Sequence, residues 1–208
     1  MKTLEQEFLN PSAAYRGKPF WAWNGKLEEQ ELLRQIDVLH EMGFGGFFMH
    51  SRTGLQTEYL GDDWFRLTDA CVKKARALGM EPWIYDEDRW PSGCAGGLVT
   101  KEPQFRRKYL TLTLNEAADS SEPPLAVFAA RLDGCSLAPD YRRFDQLQPG
   151  ETKLVFRVHT MQPQSVYNGF TDSDRLSLDA TERFLDVTHR QYAARCAEFS
   201  SICGVFTD

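Results

Sequence analysis

The segment WIYDEDRWPSG, residues 83–93, carries an apolar stretch that ends abruptly in three adjacent carboxylates. Its first residues are bulky and β-favouring, and its last residues, from Arg89 to Gly93, are typical of a loop. Apolar strands that end in polar residues are typical of parallel sheets, in which functional groups follow the strand ends. The segment therefore predicts a buried strand that leads into an acidic loop.

The same unit occurs twice upstream of this segment. An aromatic strand over 18–24 precedes a helix over 27–42, and Gly43 then permits the left-handed turn that ends it. A second strand over 44–50 precedes a helix capped by Asp62 or Asp63 and ended by Gly79, and the third strand covers 80–86. This order predicts a βαβαβ series.

Downstream of residue 104, the alternation of strands and helices is interrupted. Three β-like runs, 109–114, 125–131 and 153–159, are separated by Asn, Asp, Pro and Gly turn signals. A capping box of Asp179 and Glu182 then opens an amphipathic helix up to Phe199, and a last strand covers 202–208. We therefore expect barrel units over 1–104, a β-rich insertion over 105–160, and a barrel helix and fourth strand over 161–208.

The alternating strands and helices predict an α/β fold with a parallel sheet. The turn after the first strand, WAWNGKLEEQ (21–30), has one glycine and early glutamates, which disfavours a doubly wound nucleotide-binding sheet. A (β/α)8 TIM-type barrel is favoured. Such a barrel needs about 250 residues and eight strands. The chain is therefore expected to hold only the first half, about four strands, to be truncated after Asp208, and to self-associate through its open strand edges.

Bulk composition excludes some partners. The net charge is -6, from 30 acidic and 24 basic residues, which disfavours nucleic acid and anionic membranes. No apolar run reaches the roughly 20 residues of a membrane span, and the N-terminus lacks a secretory signal. Five cysteines without a C-x-x-C pair argue against a disulfide framework and a zinc site. A reducing cytoplasm is the expected compartment.

In a barrel, functional residues lie at the carboxyl ends of the strands. Paired carboxylates suit glycoside hydrolysis, and aromatic faces with polar neighbours suit sugar rings. The expected catalytic residues are Asp86, Glu87 and Asp208, and the expected substrate-binding residues are Trp23, Asn24, His50, Arg52, Tyr85 and Trp90.

Each of these residues also has a structural alternative. Asp86 and Asn24 could cap the helices that follow them, Trp23 could belong to the core, and His50 could be a satisfied polar residue. Asp88 is better explained by a surface ion pair with Arg89. The first strand lacks an H-x-H pair and the chain lacks a G-x-S-x-G elbow, which disfavours amidohydrolase and serine hydrolase chemistry.

Four co-linear motifs resemble glycoside hydrolase family 106, the α-L-rhamnosidase-like enzymes. They are PFWAWNG (19–25), GGFFMHSRTGLQTEYL (45–60), WIYDEDRWPSGCAGG (83–97) and GVFTD (204–208). The resemblance implies a (β/α)8 catalytic domain, an inverting mechanism with two carboxylates, and a calcium ion in the pocket. Asn24, His50, Arg52, Asp86, Glu87 and Trp90 match its pocket-side positions. In family members the fourth-strand motif continues past Asp208, typically with Glu and Pro.

The main hypothesis is therefore a glycoside hydrolase that removes a terminal sugar, by family resemblance an α-L-rhamnoside, with the remaining barrel half of the parent chain as its partner. Two alternatives stay open. One is a carbohydrate-binding barrel without catalysis, and the other is a barrel hydrolase with a metal at His50 and Asp86.

Overall fold

A computed structural model describes residues 3–116, 123–134 and 136–208 of the chain. Its helices are α1 (Leu4–Leu9), α2 (Glu29–Glu41), α3 (Asp62–Ala77), α4 (Leu178–Val187) and α5 (His189–Arg195). Its strands are β1 (Phe20–Gly25), β2 (Gly46–Leu55), β3 (Glu81–Asp88), β4 (Lys108–Leu114), β5 (Ala126–Asp133), β6 (Ser136–Arg143), β7 (Thr152–Thr160) and β8 (Gly204–Phe206).

The first sheet is parallel, with the strand order β1-β2-β3-β8. Each β-α unit adds its strand beside the previous one, so β1 and β8 are the two edges. All four strands end at the same side of the sheet, because parallel strands run in one direction. That side brings together the polar residues that follow the strands.

One face of this sheet is covered by α2, α3 and α5. Alternating side chains of β1 and β2 point to the helices and bury an apolar core. Three tryptophans form its centre: Trp23 lies edge-on to Trp21 and Trp64, and the Trp64 indole N–H donates to the Tyr192 hydroxyl at 2.8 Å. Burying a large apolar side chain contributes roughly 1.5–3 kcal/mol, so this cluster is a major source of stability.

The opposite face is lined by a second set of aromatic rings. Phe20 contacts Phe48 and Phe206 with ring centroids at 5.1 and 4.9 Å, and Phe48 contacts Trp83 at 5.5 Å. The Phe20 side chain is 53% exposed, so this face is open to solvent at β1. Apolar residues on both faces explain why the strands are nearly continuous apolar runs in the sequence.

The helix expected up to Phe199 is in fact two helices. The backbone of Thr188 has φ −116° and ψ −88°, which are not helical angles, so the first helix ends there. The Thr188 hydroxyl donates to the Phe184 carbonyl at 2.5 Å. The expected capping residue also differs, because the Ser177 hydroxyl, and not Asp179, accepts from the N–H of Ala180. Likewise α3 follows Gly61 as its N-cap, without a side-chain cap from Asp62 or Asp63.

The second sheet is antiparallel, with the order β4-β7-β5-β6. Strand β6 was not expected from the sequence. The chain enters and leaves this sheet at the same place, because Lys108 at the start of β4 pairs with Thr160 at the end of β7. Next to this pair, the N–H of Met161 donates to the Arg107 carbonyl at 2.8 Å. The main core takes no residue from 108–160, as far as the chain is described.

The chain is thus a mixed α/β protein with two open four-stranded sheets. Within the described ranges neither sheet closes into a barrel, so the half barrel and its division at 104 and 160 remain predictions. No helix in the described part is long and apolar enough to cross a membrane.

Candidate functional site

A cleft of about 410 Å³ lies on the aromatic face of the parallel sheet and extends from Phe20, at the start of β1, to Asp208, just after β8. Phe20, Ala22 and Phe206 form its apolar part, and its polar part consists of His50, Arg52, Tyr85 and Asp208. We call it the strand-tip cleft. Four of the residues expected from the sequence therefore meet in one place, contributed by β2, β3 and the segment after β8.

Tyr85 and Asp208 are directly joined in this cleft. The Tyr85 hydroxyl donates to Asp208 Oδ2 at 2.9 Å, although the two residues are far apart in sequence. Burial and then the adjacent Asp208 carboxylate raise the pKa of the Tyr85 hydroxyl well above its usual value. Tyr85 is therefore a neutral donor that orients one oxygen of Asp208, and the other oxygen is left for a ligand or water.

His50 stacks on the Tyr85 ring at 3.7 Å and is only 6% exposed. Its Nε2 lies 3.0 Å from the Arg89 carbonyl, which can only accept, so Nε2 carries the hydrogen. Burial, with a smaller contribution from the Arg52 cation, lowers the pKa of His50. The ring is thus a neutral imidazole whose Nδ1 is free of the hydrogen and able to accept one.

Asp86 lies behind the cleft and is fully buried. Its Oδ1 accepts from the Ser92 hydroxyl at 2.5 Å, and its Oδ2 accepts from the Thr207 hydroxyl at 2.7 Å. The same Oδ2 is 3.2 Å from Nε2 of His189, at the start of α5. Asp86 thus ties β3 to β8 and to α5, and its carboxylate does not line the cleft.

Glu87 is also fully buried, and its carboxylate faces backbone amides. Its Oε2 accepts from the N–H groups of residues 93, 94 and 95 at 3.0, 2.9 and 2.7 Å, and its Oε1 accepts from those of residues 96 and 88 at 2.5 and 2.8 Å. Burial raises the pKa of Glu87 to about 7, against the opposing effect of these amides. We call the N–H groups of residues 93–96 the amide nest.

The loop that forms the nest is packed tightly against a second segment. A side chain at Gly93 would meet the Ser173 hydroxyl at 2.4 Å, and one at Gly97 would meet the Phe170 ring at 2.4 Å. Both glycines also have positive φ values, 127° and 96°. The small residues of PSGCAGG, residues 91–97, are therefore explained by this close approach.

The remaining expected residues lie elsewhere. Trp23 is 1% exposed and points to the helix layer, so it belongs to the core instead of the cleft, because β1 alternates its faces. Asn24 is exposed beside a smaller depression of about 130 Å³ at the start of α2. Trp90 is 51% exposed on the loop after β3, outside the lining of the strand-tip cleft. Asp88 accepts from the Ser51 hydroxyl, where an ion pair with Arg89 was expected.

Several residues of the site were not expected from the sequence. Phe206 could have been found, because it lies two positions before Asp208, and side chains two positions apart in an extended segment point to the same side. Thr207 lies at the end of the last predicted strand, beside Asp208, whereas Ser92 and His189 had no comparable signal. Their role depends on contacts with Asp86 across long stretches of chain.

The described residues do not fit the calcium ion that the family resemblance implies. They contain no group of three or more His, Cys, Asp or Glu side chains arranged to hold a metal ion. The Glu87 oxygens face N–H groups, whose positive ends would repel a cation, and the Asp86 oxygens are bonded to hydroxyls. A metal shared by His50 and Asp86 is disfavoured for the same reason.

No family model matches the chain, and no curated protein matches it. The chain is similar to a rhamnosidase from Novosphingobium sp. PP1Y, with 19% sequence identity, 62% of this chain covered and a TM-score of 0.48. The similar part amounts to 15% of that rhamnosidase chain, so this chain spans a small share of its length.

Proposed function

We propose that this chain forms one wall of the sugar site of a glycoside hydrolase that acts on a terminal sugar, an α-L-rhamnoside in the first instance. The main observation behind this proposal is the strand-tip cleft, in which aromatic rings lie beside Asp208, Arg52 and His50. Aromatic rings suit the apolar face of a sugar, and the charged and imidazole groups suit its hydroxyls. The resemblance of the strand-end motifs to glycoside hydrolase family 106 supports the choice of rhamnoside.

The proposed architecture is the first half of a (β/α)8 barrel with an insertion over 105–160. Support comes from the sequential strand order, β1-β2-β3-β8, with helices packed on one face. In doubly wound sheets the strand order reverses and helices cover both faces. In a barrel the aromatic face would point inward, and the cleft would lie at the end where barrel enzymes carry their sites.

The proposed reaction needs two carboxyl groups. One donates a proton to the glycosidic oxygen as its bond to the anomeric carbon breaks. The other removes a proton from the water whose oxygen forms the new bond to that carbon. Asp208 is the carboxylate that lines the cleft in the described part of the chain, and Asp86 and Glu87 stand behind it. We therefore assign one role to Asp208 and the other to an acid outside the described residues.

The test is release of the aryl group from an aryl α-L-rhamnoside by the parent protein that contains this chain. Asp208→Asn is expected to lower kcat at least 100-fold, in keeping with the contribution of about 10²–10⁴ from general acid–base catalysis. Asp133→Asn, an exposed aspartate in the second sheet, is the matched control and should leave turnover unchanged. Unchanged turnover in Asp208→Asn would refute the assignment.

A second candidate function is sugar binding without catalysis. It is favoured by one observation: the described lining of the cleft supplies one carboxylate where hydrolysis requires two. In this case methyl α-L-rhamnoside would bind to the wild-type protein without any turnover of the aryl rhamnoside. Binding would then persist in Asp208→Asn, since an amide still bonds to sugar hydroxyls.

A further inference from the structure

The loop over 91–97 directs four consecutive backbone N–H groups at one carboxylate. Ala95 and Gly96 both have positive φ values, 51° and 61°, and neighbouring amides point to one spot instead of pairing along a helix or strand. A buried N–H without a partner costs about 1–3 kcal/mol. The amide nest would therefore be strongly unfavourable without a negative group, and Glu87 supplies that group from the adjacent strand.

The same loop also fixes the backbone of Asp208. The N–H of Ser92 donates to the Asp208 carbonyl at 3.2 Å, and the Ser92 hydroxyl accepts from the N–H of Asp208 at 3.0 Å. These two hydrogen bonds join Ser92 and Asp208 much as the bonds between neighbouring strands join paired residues. They fix the backbone from which its carboxylate reaches the Tyr85 hydroxyl.

We infer that Glu87 is a positioning residue, which holds the loop through the amide nest and thereby sets Asp208 in the strand-tip cleft. It does not touch the ligand itself. The anchoring of the loop is independent of the proposed function, whereas its effect on sugar binding rests on that function.

Cys94 offers a natural probe of the loop. It is a free thiol, 6% exposed, and its own N–H is one of the four in the nest. Cys71 is a free thiol buried in the main core and reports unfolding of the whole chain. Alkylation by iodoacetamide, followed residue by residue with mass spectrometry, therefore separates opening of the loop from global unfolding.

The experiment uses Glu87→Ala at pH 8, with sodium formate as a replacement carboxylate. Without formate, Cys94 should be alkylated about tenfold faster than in the wild type while Cys71 stays protected, because the loop opens locally. With formate, which fills the space of the missing carboxylate, Cys94 should again be protected. Formamide has a similar size but no charge and should not protect it.

The matched control is Glu81→Ala, on the same strand. Its carboxylate pairs with Lys18 at 3.2 Å and has no part in the nest, so formate should not alter Cys94 alkylation. If Glu87→Ala unfolds globally, Glu87→Gln replaces it. One side-chain oxygen then becomes an amide NH₂ facing N–H groups, and Cys94 should be exposed selectively without rescue by formate.

Protection of Cys94 equal to the wild type in both Glu87 variants would overturn the inference. Alkylation of Cys94 and Cys71 at equal rates in both variants would overturn it as well. In Glu87→Ala, binding of methyl α-L-rhamnoside should be restored over the same range of formate concentration as Cys94 protection. Formate protection of Cys94, with no sugar binding by the wild type, would instead refute the proposed function and still support the anchoring role.

Discussion

Asp86, Glu87 and Asp208 are chemically similar side chains in three different environments. Asp86 accepts from hydroxyls, Glu87 accepts from backbone amides, and Asp208 accepts from one tyrosine at an open cleft. Accessibility separates them, because a group that acts on a substrate needs a free oxygen. At the residue scale, therefore, the density of acids in the sequence points to the region of the site but not to the acting carboxylate.

The protonation of His50 gives a prediction at this scale. Burial lowers its pKa in the folded chain, so folding favours the neutral ring. The resulting stability is complete above the unfolded histidine pKa of about 6.5 and is lost as the pH falls through the lower folded value. Urea unfolding between pH 7.5 and 5 should therefore show a steeper loss of the free energy of unfolding in the wild type than in His50→Gln.

His40→Gln is the control for this measurement, because His40 is exposed on α2. It should reproduce the wild-type pH dependence. Parallel curves for the wild type and His50→Gln would contradict the prediction.

Strand ends were easier to predict than side-chain directions. His50, Arg52 and Asp208 were expected from their place at the ends of apolar runs, and Tyr85 from its place beside the acidic cluster; the structure brings the four together. Trp23 was misplaced because both faces of β1 are aromatic, so the alternation of polar and apolar residues that would distinguish core from cleft is absent.

At the scale of elements, the contact between β2 and β3 depends on a glycine. A side chain at Gly46 would lie 2.1 Å from the Glu81 backbone carbonyl, which cannot move without disturbing the sheet. Gly46→Ala should therefore lower the free energy of unfolding by about 1–3 kcal/mol, as overpacking does. Chemical denaturation of the purified variant measures this loss.

Gly17→Ala is the matched control, because its added carbon would have only ordinary contacts with the Phe44 ring. A change within about 0.5 kcal/mol is expected there, as for most surface substitutions. Equal stability of Gly46→Ala and the wild type would show that the two strands can separate slightly without cost.

The strands and helices with a clear period were predicted to within a few residues, as for α2, observed at Glu29–Glu41. The break at Thr188 was not predicted, because both halves share one apolar face and nothing in the periodicity marks the interruption. Strand β6 was missed because its sequence, SLAPDYRR, contains a proline and charged residues that resemble a turn.

At the scale of the whole molecule, the chain enters and leaves the second sheet at one pair of adjacent strand ends, where Lys108 also pairs with Asp174. Replacing residues 108–160 by an Asn-Gly turn between Arg107 and Met161 should preserve the parallel sheet, because a two-residue turn joins antiparallel neighbours. The near-ultraviolet circular dichroism of the tryptophan cluster should persist, with cooperative thermal unfolding.

Removal of α5 is the control that should give the opposite result. It deletes Tyr192, to which the Trp64 indole N–H donates, and should therefore abolish the near-ultraviolet signal of the tryptophan cluster. Loss of the signal in the 108–160 replacement would mean that the two sheets depend on each other. The order β4-β7-β5-β6 itself was beyond sequence reasoning, because it depends on pairings between distant strands.

The placement of the tryptophans has an optical consequence. Trp21, Trp23 and Trp64 are buried, Trp83 is partly buried, and Trp90 is half exposed on the loop after β3. Their fluorescence should therefore divide into a blue-shifted emission that iodide hardly quenches and a red-shifted emission that it quenches readily. In a Trp83→Phe variant the red-shifted component would come from Trp90, so it would report on the loop after β3 without an added label.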